Sequence, residues 1–399
     1  MRPPSCCAEQ GACMLKNRIL YLFILLCTTA FFICFNGYYS WYVFLLSLVL
    51  PGVSLILSLP GMLTSWAEIG VPGGGGRAKK SAAVPIQVAA GSRWPLPSGR
   101  IRLRLNIHNT LTGERRTEAL ELSQGRMPQA VEQRLTSHTC GRIVCRLDKA
   151  RVCDLLGLFS LPIRLREGRS CEVVVLPNIF QTAIGLRDRN IPDAGGERYS
   201  PTKPGPDPTE FFGLRDYRPG DKLNRVDWKL SDKAGALLVR EGSLPVAKRA
   251  LFIISLNGDG NEADLLMDTL ATLGHSLSGQ GAGYALAFSG GEGLVFIDVD
   301  SPEDSGGALE AVLRHCDRGR FPGLIAEGAE APRDIARVVY ICPEPEPAAI
   351  GFIGERYAFA GATVVHTRPL TEGNRLEGDM YPVRVQPGSL AADLAGLQI

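Results

Sequence analysis

Residues 196–241 contain the side chains best suited to chemistry in this chain. Asp216, Asp221 and Asp227 lie close together in sequence, and clustered carboxylates are a common source of acid–base catalysis. Basic residues alternate with them, which makes mutual neutralisation a simpler use of these charges. The basic residues are Arg215, Arg218, Lys222 and Arg225. The pattern predicts a module of ion pairs that serves as a structural joint, as a docking surface or, as a third alternative, as a catalytic site.

The same block contains aromatic rings and one sharp turn. Its aromatic residues are Phe211, Phe212, Tyr217 and Trp228. Pro219 and Gly220 fit the centre of a type II turn, because proline fixes φ and glycine accepts a positive φ. Trp228 stands between Asp227 and Lys229, which predicts a cation–π or packing contact around its ring.

Motifs of several enzyme classes are missing from the sequence. It contains neither a Gly-x4-Gly-Lys-Ser/Thr phosphate-binding loop nor a Gly-x-Ser-x-Gly nucleophile turn. The glycine-rich residues 279–283 follow a predicted helix, so we interpret them as its C-terminal cap. The five histidines are scattered over predicted strands and helices. We therefore predict no catalytic residue and no cofactor.

The eleven cysteines occur at irregular spacings, which is typical of reduced thiols in a cytosolic compartment. One group, His138, Cys140, Cys145 and Cys153, has the residue types of a zinc site. Its spacing fits no Cys-x2–4-Cys pair. Cys140 and Cys145 have opposite parity on a predicted strand, so they should point to different faces. Buried thiols rather than a metal site are therefore predicted.

Two uncharged apolar runs lie near the N-terminus, at residues 19–35 and 42–59. Each approaches the roughly 20 residues that span a bilayer, and aromatic residues lie in the turn between them. A signal peptide followed by a buried helix is the alternative, but the first run lacks a small-residue cleavage site. We expect two transmembrane helices within residues 19–60. Pro51 would kink the second helix or mark it as partly re-entrant.

Basic residues flank this pair of runs and are missing from the turn between them. They are Arg2, Lys16, Arg18, Arg77, Lys79 and Lys80. The positive-inside rule then places residues 1–18 and the large C-terminal part in the cytoplasm. The expected location is the inner (plasma) membrane, as a multi-pass protein in contact with the lipid bilayer.

The chain has 399 residues and a net charge of +2, which leaves room for several domains and gives no electrostatic case for binding nucleic acid. Residues 61–81 include four consecutive glycines and predict a flexible linker. Residues 82–176 predict short strands whose spacing favours an Ig-like β-sandwich. Residues 177–246 hold a proline-rich crossover and the charged block. Residues 247–399 alternate strands with helices, which predicts a doubly wound α/β domain.

The most specific residues of the charged block are Arg215, Tyr217, Pro219, Gly220, Asp221, Asp227, Trp228, Lys229, Arg240 and Glu241. In this order they resemble the signature of the DUF58 family of bacterial and archaeal membrane-anchored proteins. The turn formed by Asp154, Gly157, Leu158 and Phe159 is similar to an Asp-x-x-Gly-Leu-Phe turn of that family. The resemblance implies that residues 247–399 are a von Willebrand factor A-like domain. It also implies a MoxR-type AAA+ ATPase as partner, and in some cases a transglutaminase-like membrane protein.

An A-type domain with a working metal site carries Asp-x-Ser-x-Ser after its first strand, which supplies oxygen ligands to a hard cation. The corresponding residues here are Ser255, Asn257 and Asp259, so the pattern is broken. Glu344 follows a later strand but is displaced from the usual acidic position. A metal-free scaffold is favoured, and a divalent cation at residues 255–259 is the alternative.

These features together favour a non-enzymatic, membrane-anchored scaffold or adaptor. Such a protein would work with the ATPase in assembly or in envelope-related processes. The alternative is an enzyme at the inner face of the membrane that uses the Asp/Arg cluster 215–229.

Overall fold

The structure is a computed structural model that describes residues 6–35, 37–73, 76–94, 99–123, 129–165, 168–182, 184–185, 199–205, 207–245, 250–319, 321–322, 325–326, 331–332, 335–358, 360–370 and 380–397. The chain divides into two compact units, Met1–Leu176 and Pro177–Ile399.

The first unit begins with two helices, α1 (Cys6–Cys34) and α2 (Tyr38–Leu63). The stretches Met14–Cys34 and Tyr38–Leu63 are each long and apolar enough to cross a membrane. The helices pack side by side, with the hydroxyl oxygens of Thr28 and Ser47 3.0 Å apart. The re-entrant alternative is wrong, because α2 continues through Pro51 as one helix.

The strands of the first unit form two sheets around one hydrophobic core. They are β1 (Ser65–Gly70), β2 (Arg77–Lys79), β3 (Val84–Ser92), β4 (Arg100–Asn109), β5 (Arg115–Ser123), β6 (Gln129–Leu135), β7 (Gly141–Cys153), β8 (Ser160–Pro162), β9 (Arg164–Leu165) and β10 (Ser170–Leu176). One sheet has the order β6–β3–β1–β9, and the other has the order β2–β10–β7–β4–β5 with β8 paired to β7. The alternation predicted at residues 101–107 is confirmed, because every second side chain of β4 is buried.

The predicted flexible linker at residues 61–81 is wrong over most of its length. Met62, in the last turn of α2, belongs to the core of the two sheets. After Thr64 the chain enters β1, where Ala67 and Ile69 are buried, and β2 later pairs with β10. The glycine run predicted a linker, but the alternating burial of Ser65–Gly70 is that of a strand. Residues 74 and 75 lie outside the described residues.

The charged block folds within the second unit as a small sheet of its own. Strand β13 (Leu238–Pro245) lies between β11 (Tyr199–Gly205) and β12 (Asp207–Asp216). The connection from β12 to β13 contains a short 3-10 turn, Leu223–Arg225, and helix α3 (Trp228–Ala234). Residues 196–198, which open the block, lie outside the described residues.

The rest of the second unit alternates strands and helices, as predicted for residues 247–399. Its elements are β14 (Ala250–Ile254), α4 (Gly260–Gly279), β15 (Tyr284–Gly290), β16 (Gly293–Val299), α5 (Pro302–His315), β17 (Arg337–Cys342), α6 (Pro347–Arg356), β18 (Gly361–His366), β19 (Met380–Arg384) and α7 (Leu390–Asp393). They build a sheet of order β16–β15–β14–β17–β18–β19, parallel except between β15 and β16.

Helices cover both faces of this sheet. Helix α4 packs on the face of Phe252, whose ring lies 5.0 Å from that of Tyr284 beneath the helix. Helix α6 packs on the opposite face, where Ile353 shares a core with Leu251 and Ile253. All five residues of β14 are buried, because a central parallel strand is covered on both sides.

Candidate functional site

The charged block is organised around the turn that follows β12. The N–H of Asp221 donates to the carbonyl of Arg218 at 3.0 Å, which closes the turn around Pro219 and Gly220. Gly220 has φ of 107°, a value that other residues rarely adopt. The turn predicted from Pro219–Gly220 is thus confirmed. It brings the carboxylate of Asp221 back toward the end of β12.

Arg215 binds two carboxylates at once. Its Nη1 and Nη2 donate to the two oxygens of Asp221, each at 2.7 Å, and its Nε donates to Glu241 at 2.9 Å. The bidentate geometry matches the planar guanidinium to the carboxylate. Since Glu241 lies on β13, this ion-pair cluster ties the turn to the central strand of the small sheet.

The ion pair changes the protonation of both partners. The Arg215 guanidinium, with the N–H of Arg218, lowers the pKa of Asp221 to about 2. The carboxylate of Asp221 in turn raises the pKa of Arg215 above its ordinary value. A carboxylate with so low a pKa is a poor general base near neutral pH. The arrangement therefore favours a structural role for these charges over proton transfer.

Asp227 begins helix α3. Its Oδ1 accepts from the N–H of Leu230 at 3.1 Å, as in an N-cap, and its Oδ2 lies 3.6 Å from Nε of Arg240. Ser231 joins the helix to β13, because its hydroxyl accepts from the N–H of Leu238 at 2.8 Å and donates to the carbonyl of Asp227. The short helix is thus fixed at both its start and its inner face.

Apolar side chains project into solvent around this framework. We call them the hairpin patch: Phe211, Leu223, Trp228, Leu230 and Leu237. Trp228 is 61% exposed and borders an open cavity of about 430 Å³ that Ser231, Asp232 and Leu237 also line. Several exposed apolar side chains on one small sheet and its connecting helix are typical of a surface that contacts another molecule.

A cation–π or packing contact was predicted around Trp228, whereas the observed cation–π contact is at Phe211. In the part of the block that the structure describes, the guanidinium of Arg240 lies 5.6 Å from the ring centre of Phe211. Trp228 and Lys229 are exposed instead, because the N-cap at Asp227 directs the first turn of α3 toward solvent. Tyr217 is half-buried, and its N–H donates to the carbonyl of Leu237.

The carboxyl edge of the large sheet holds the second predicted candidate. The side chains of Ser255 and Asn257 both donate hydrogen bonds to the carboxylate of Glu346. Nδ2 of Asn257 lies 2.5 Å from it. The other oxygen of Glu346 accepts from the N–H of Phe321 at 3.0 Å. Glu346, rather than the predicted Glu344, therefore faces residues 255–257. It begins α6 and lies far from them in sequence, so spacing gave no signal for it.

Two arginines supply the positive charge at this edge. Arg318 donates to the carbonyls of Leu256 and Gly258, at 3.3 and 2.5 Å. Arg368 binds both oxygens of Glu262, at 2.9 and 2.8 Å, and lowers the pKa of that carboxyl. Asp259 begins α4, and its N–H donates to Glu262 at 2.8 Å. At this edge, the carboxylates of Glu262 and Glu346 thus accept hydrogen bonds from guanidinium and amide groups.

The thiols of the predicted cysteine group are buried in the first unit, as expected for Cys140, Cys145 and Cys153. His138 lies apart from them, with its Nδ1 3.2 Å from the hydroxyl of Ser81. Across the described residues, no three His, Cys, Asp or Glu side chains are grouped so that they could hold a metal ion.

No family model matches the chain. A stretch of 105 residues is 28% identical to the Uncharacterized protein YeaD of Bacillus subtilis (strain 168). The match covers 26% of this chain and 26% of that relative, so the chain spans about a quarter of the relative's length.

Two solved structures show a low similarity. The alkylpurine DNA glycosylase AlkC of Pseudomonas fluorescens, bound to DNA containing an abasic site analog, is 17% identical, with 32% of this chain and 38% of that chain covered and a TM-score of 0.17. A putative beta-galactosidase from Bacteroides fragilis is 10% identical, with 77% and 41% covered and a TM-score of 0.20. These scores are too low to indicate a shared fold.

Proposed function

We propose that this chain is a non-enzymatic, membrane-anchored scaffold or adaptor of the DUF58 type, whose hairpin patch binds a cytosolic partner protein. The observation that carries the proposal is the exposed apolar patch on a framework fixed by ion pairs. Arg215 binds Asp221 and Glu241, and Asp227 caps α3, so the backbone that carries the patch is held by ion pairs and a helix cap. Binding to an ordered surface loses little conformational entropy.

The state of the carboxylates supports docking over catalysis. Asp221 is bound on both oxygens and has a pKa of about 2, while Asp227 caps a helix. An enzyme that used the cluster 215–229 for acid–base work would need at least one carboxyl with a pKa near neutrality. The alternative role of the charged block, a structural joint that fixes one domain against another, stays a prediction.

The membrane anchor comes from the two apolar helices, and the basic residues around them favour cytoplasmic placement of both termini at the inner membrane. In this proposal the two-sheet unit is an Ig-like β-sandwich. The large sheet with its helices is a von Willebrand factor A-like domain that works without a metal. Such domains commonly bind other proteins, which suits an adaptor.

The partner that the DUF58 resemblance implies is a MoxR-type AAA+ ATPase, with a transglutaminase-like membrane protein as a further component. A patch of apolar and aromatic side chains fits a protein partner, because aromatic residues dominate the binding energy of protein interfaces.

A pull-down tests this function. The full chain is captured from detergent-solubilised membranes, with and without ATP, and its partners are identified by mass spectrometry. We expect an AAA+ ATPase with the wild type and its loss with Trp228→Asp. Tyr381→Asp is the matched control, since Tyr381 is equally exposed on β19 of the same unit. Recovery of no AAA+ ATPase under any nucleotide condition, or equal recovery with both variants, would contradict the proposal.

A further inference from the structure

The turn at residues 154–159, between β7 and β8, is a compact loop closed on itself. The N–H of Gly157 donates to the carbonyl of Asp154 at 3.0 Å, and the N–H of Asp154 donates to the carbonyl of Phe159 at 3.1 Å. The side chain of Asp154 is buried and its Oδ1 accepts from the N–H of Phe159 at 2.8 Å. The loop therefore presents its side chains in one fixed arrangement.

This turn is attached to both apolar helices. The hydroxyl of Ser54 in α2 donates to Oδ2 of Asp154 at 2.9 Å. From α1, Arg18 donates to the carbonyl of Leu158 at 3.0 Å, and Asn17 donates to the carbonyl of Leu156 at 3.3 Å. Asn17 lies so close to Gly157, which has φ of 70°, that a Cβ there would meet its side chain. The turn is thus held against the helix pair at three points.

The position of Ser54 along α2 gives the depth of the turn. Sixteen residues separate it from Tyr38 at the other end of the helix, which corresponds to about 24 Å at 1.5 Å per residue. The hydrocarbon core of a bilayer is about 30 Å thick. With Tyr38 at the outer boundary of the hydrocarbon, the turn lies within it, about 6 Å short of the inner headgroups, near the basic residues Lys16 and Arg18 that precede the apolar part of α1.

The exposed side chains of the turn suit that level. Leu155, Leu156 and Phe159 are 48%, 36% and 41% exposed, while Leu158 packs inward. Arg18, which donates to the carbonyl of Leu158, adds a basic side chain beside the turn. Apolar, aromatic and basic side chains together are the composition of a protein surface at a membrane interface.

We propose that residues 154–159 form a lipid-contacting turn that inserts Leu155, Leu156 and Phe159 into the inner leaflet and fixes the depth of the two-sheet unit. The inference rests on the proposed membrane anchor. The occupant of this surface is phospholipid, because the turn continues the apolar surface of the two helices at the same depth. The anchor is then rigid, with the turn as a third membrane contact.

Photo-crosslinking in the full chain tests the turn. A benzophenone amino acid replaces Leu155 or Phe159, and the protein is irradiated in membranes that contain radiolabelled phospholipid. Val131 is the matched control, since it is 37% exposed on β6. Val131 is paired with Val88 of β3, and Val88 is paired with Ile69 of β1. Ile69 lies four residues after Ser65, where β1 begins next to the end of α2. We expect labelled adducts at 155 and 159 and only background at 131.

The outcomes separate this inference from the anchor itself. Extraction with alkaline carbonate first reports whether the chain is an integral membrane protein, and release into the soluble fraction would remove the anchor and this inference together. Retention in the membrane, with labelling at 155 and 159 no higher than at 131, would overturn the turn's lipid contact while leaving the anchor and the adaptor role intact. Two positions are used so that one misfolded variant does not decide the result.

Discussion

Arg215 and Asp221 show how a strongly charged pair can be unavailable for chemistry. Both oxygens of the carboxylate are bound, and the neighbouring guanidinium keeps it ionised well into the acidic range. Alternating signs in the sequence predicted this neutralisation. The bidentate geometry was not predictable, because it depends on the turn at Gly220 and on Glu241 from the returning strand.

The pH dependence of stability follows from that pair. The pKa of Asp221 falls from 3.8 to about 2 on folding, so its contribution to stability is complete above about pH 5 and is lost as the pH falls through about 2. We expect Asp221→Asn to lower the Tm at neutral pH, and the difference from wild type to shrink as the pH falls and to vanish below about pH 2. Differential scanning fluorimetry of the solubilised protein measures it.

Asp232→Asn is the control for this substitution. Asp232 is an exposed carboxylate of the same block, on α3, and we expect its replacement to leave the Tm unchanged at every pH. An equal loss of Tm in both variants would mean that net charge, and not the pair with Arg215, is responsible.

At the scale of elements, α3 depends on its cap. A helix of seven residues is too short to be stable alone, so its first turn relies on Asp227. Asp227→Ala should cost about 1 kcal/mol in the free energy of unfolding, whereas Asp227→Ser keeps a capping oxygen and should recover most of that loss. Urea denaturation of the two variants compares them. Equal destabilisation by serine and alanine would show that the contact with Arg240 matters more than the cap.

Elements with a regular hydrophobic period were predictable from the sequence. The apolar runs gave α1 and α2, the strict alternation at residues 101–107 gave β4, and the alternation of strands and helices after residue 247 is observed. Ser65–Gly70 was missed, because the neighbouring glycines suggested a linker. Glu346 and Arg318 were missed as well, since only the folding of the sheet brings them to residues 255–258.

At the scale of the first unit, Asp154 connects the helices to the sheets. It is buried and accepts from both Ser54 and Phe159. Asp154→Ala leaves these two donors without an acceptor, so we expect a loss of about 2–3 kcal/mol in the free energy of unfolding. Glu132→Ala, at an exposed position on β6, should change it by less than about 0.5 kcal/mol. Denaturant titration in detergent measures both, and a similar loss in the two variants would contradict a connecting role for Asp154.

The direct passage from α2 into β1 has a mechanical consequence. Only Thr64 separates the helix from the strand, and Met62 is packed in the core of the sheets. A helix longer than the hydrocarbon core tilts to fit a thinner bilayer. Without a flexible segment to absorb that tilt, the sheets must turn with the helix. In the proposed membrane anchor, bilayer thickness would therefore set the angle between the two-sheet unit and the membrane plane.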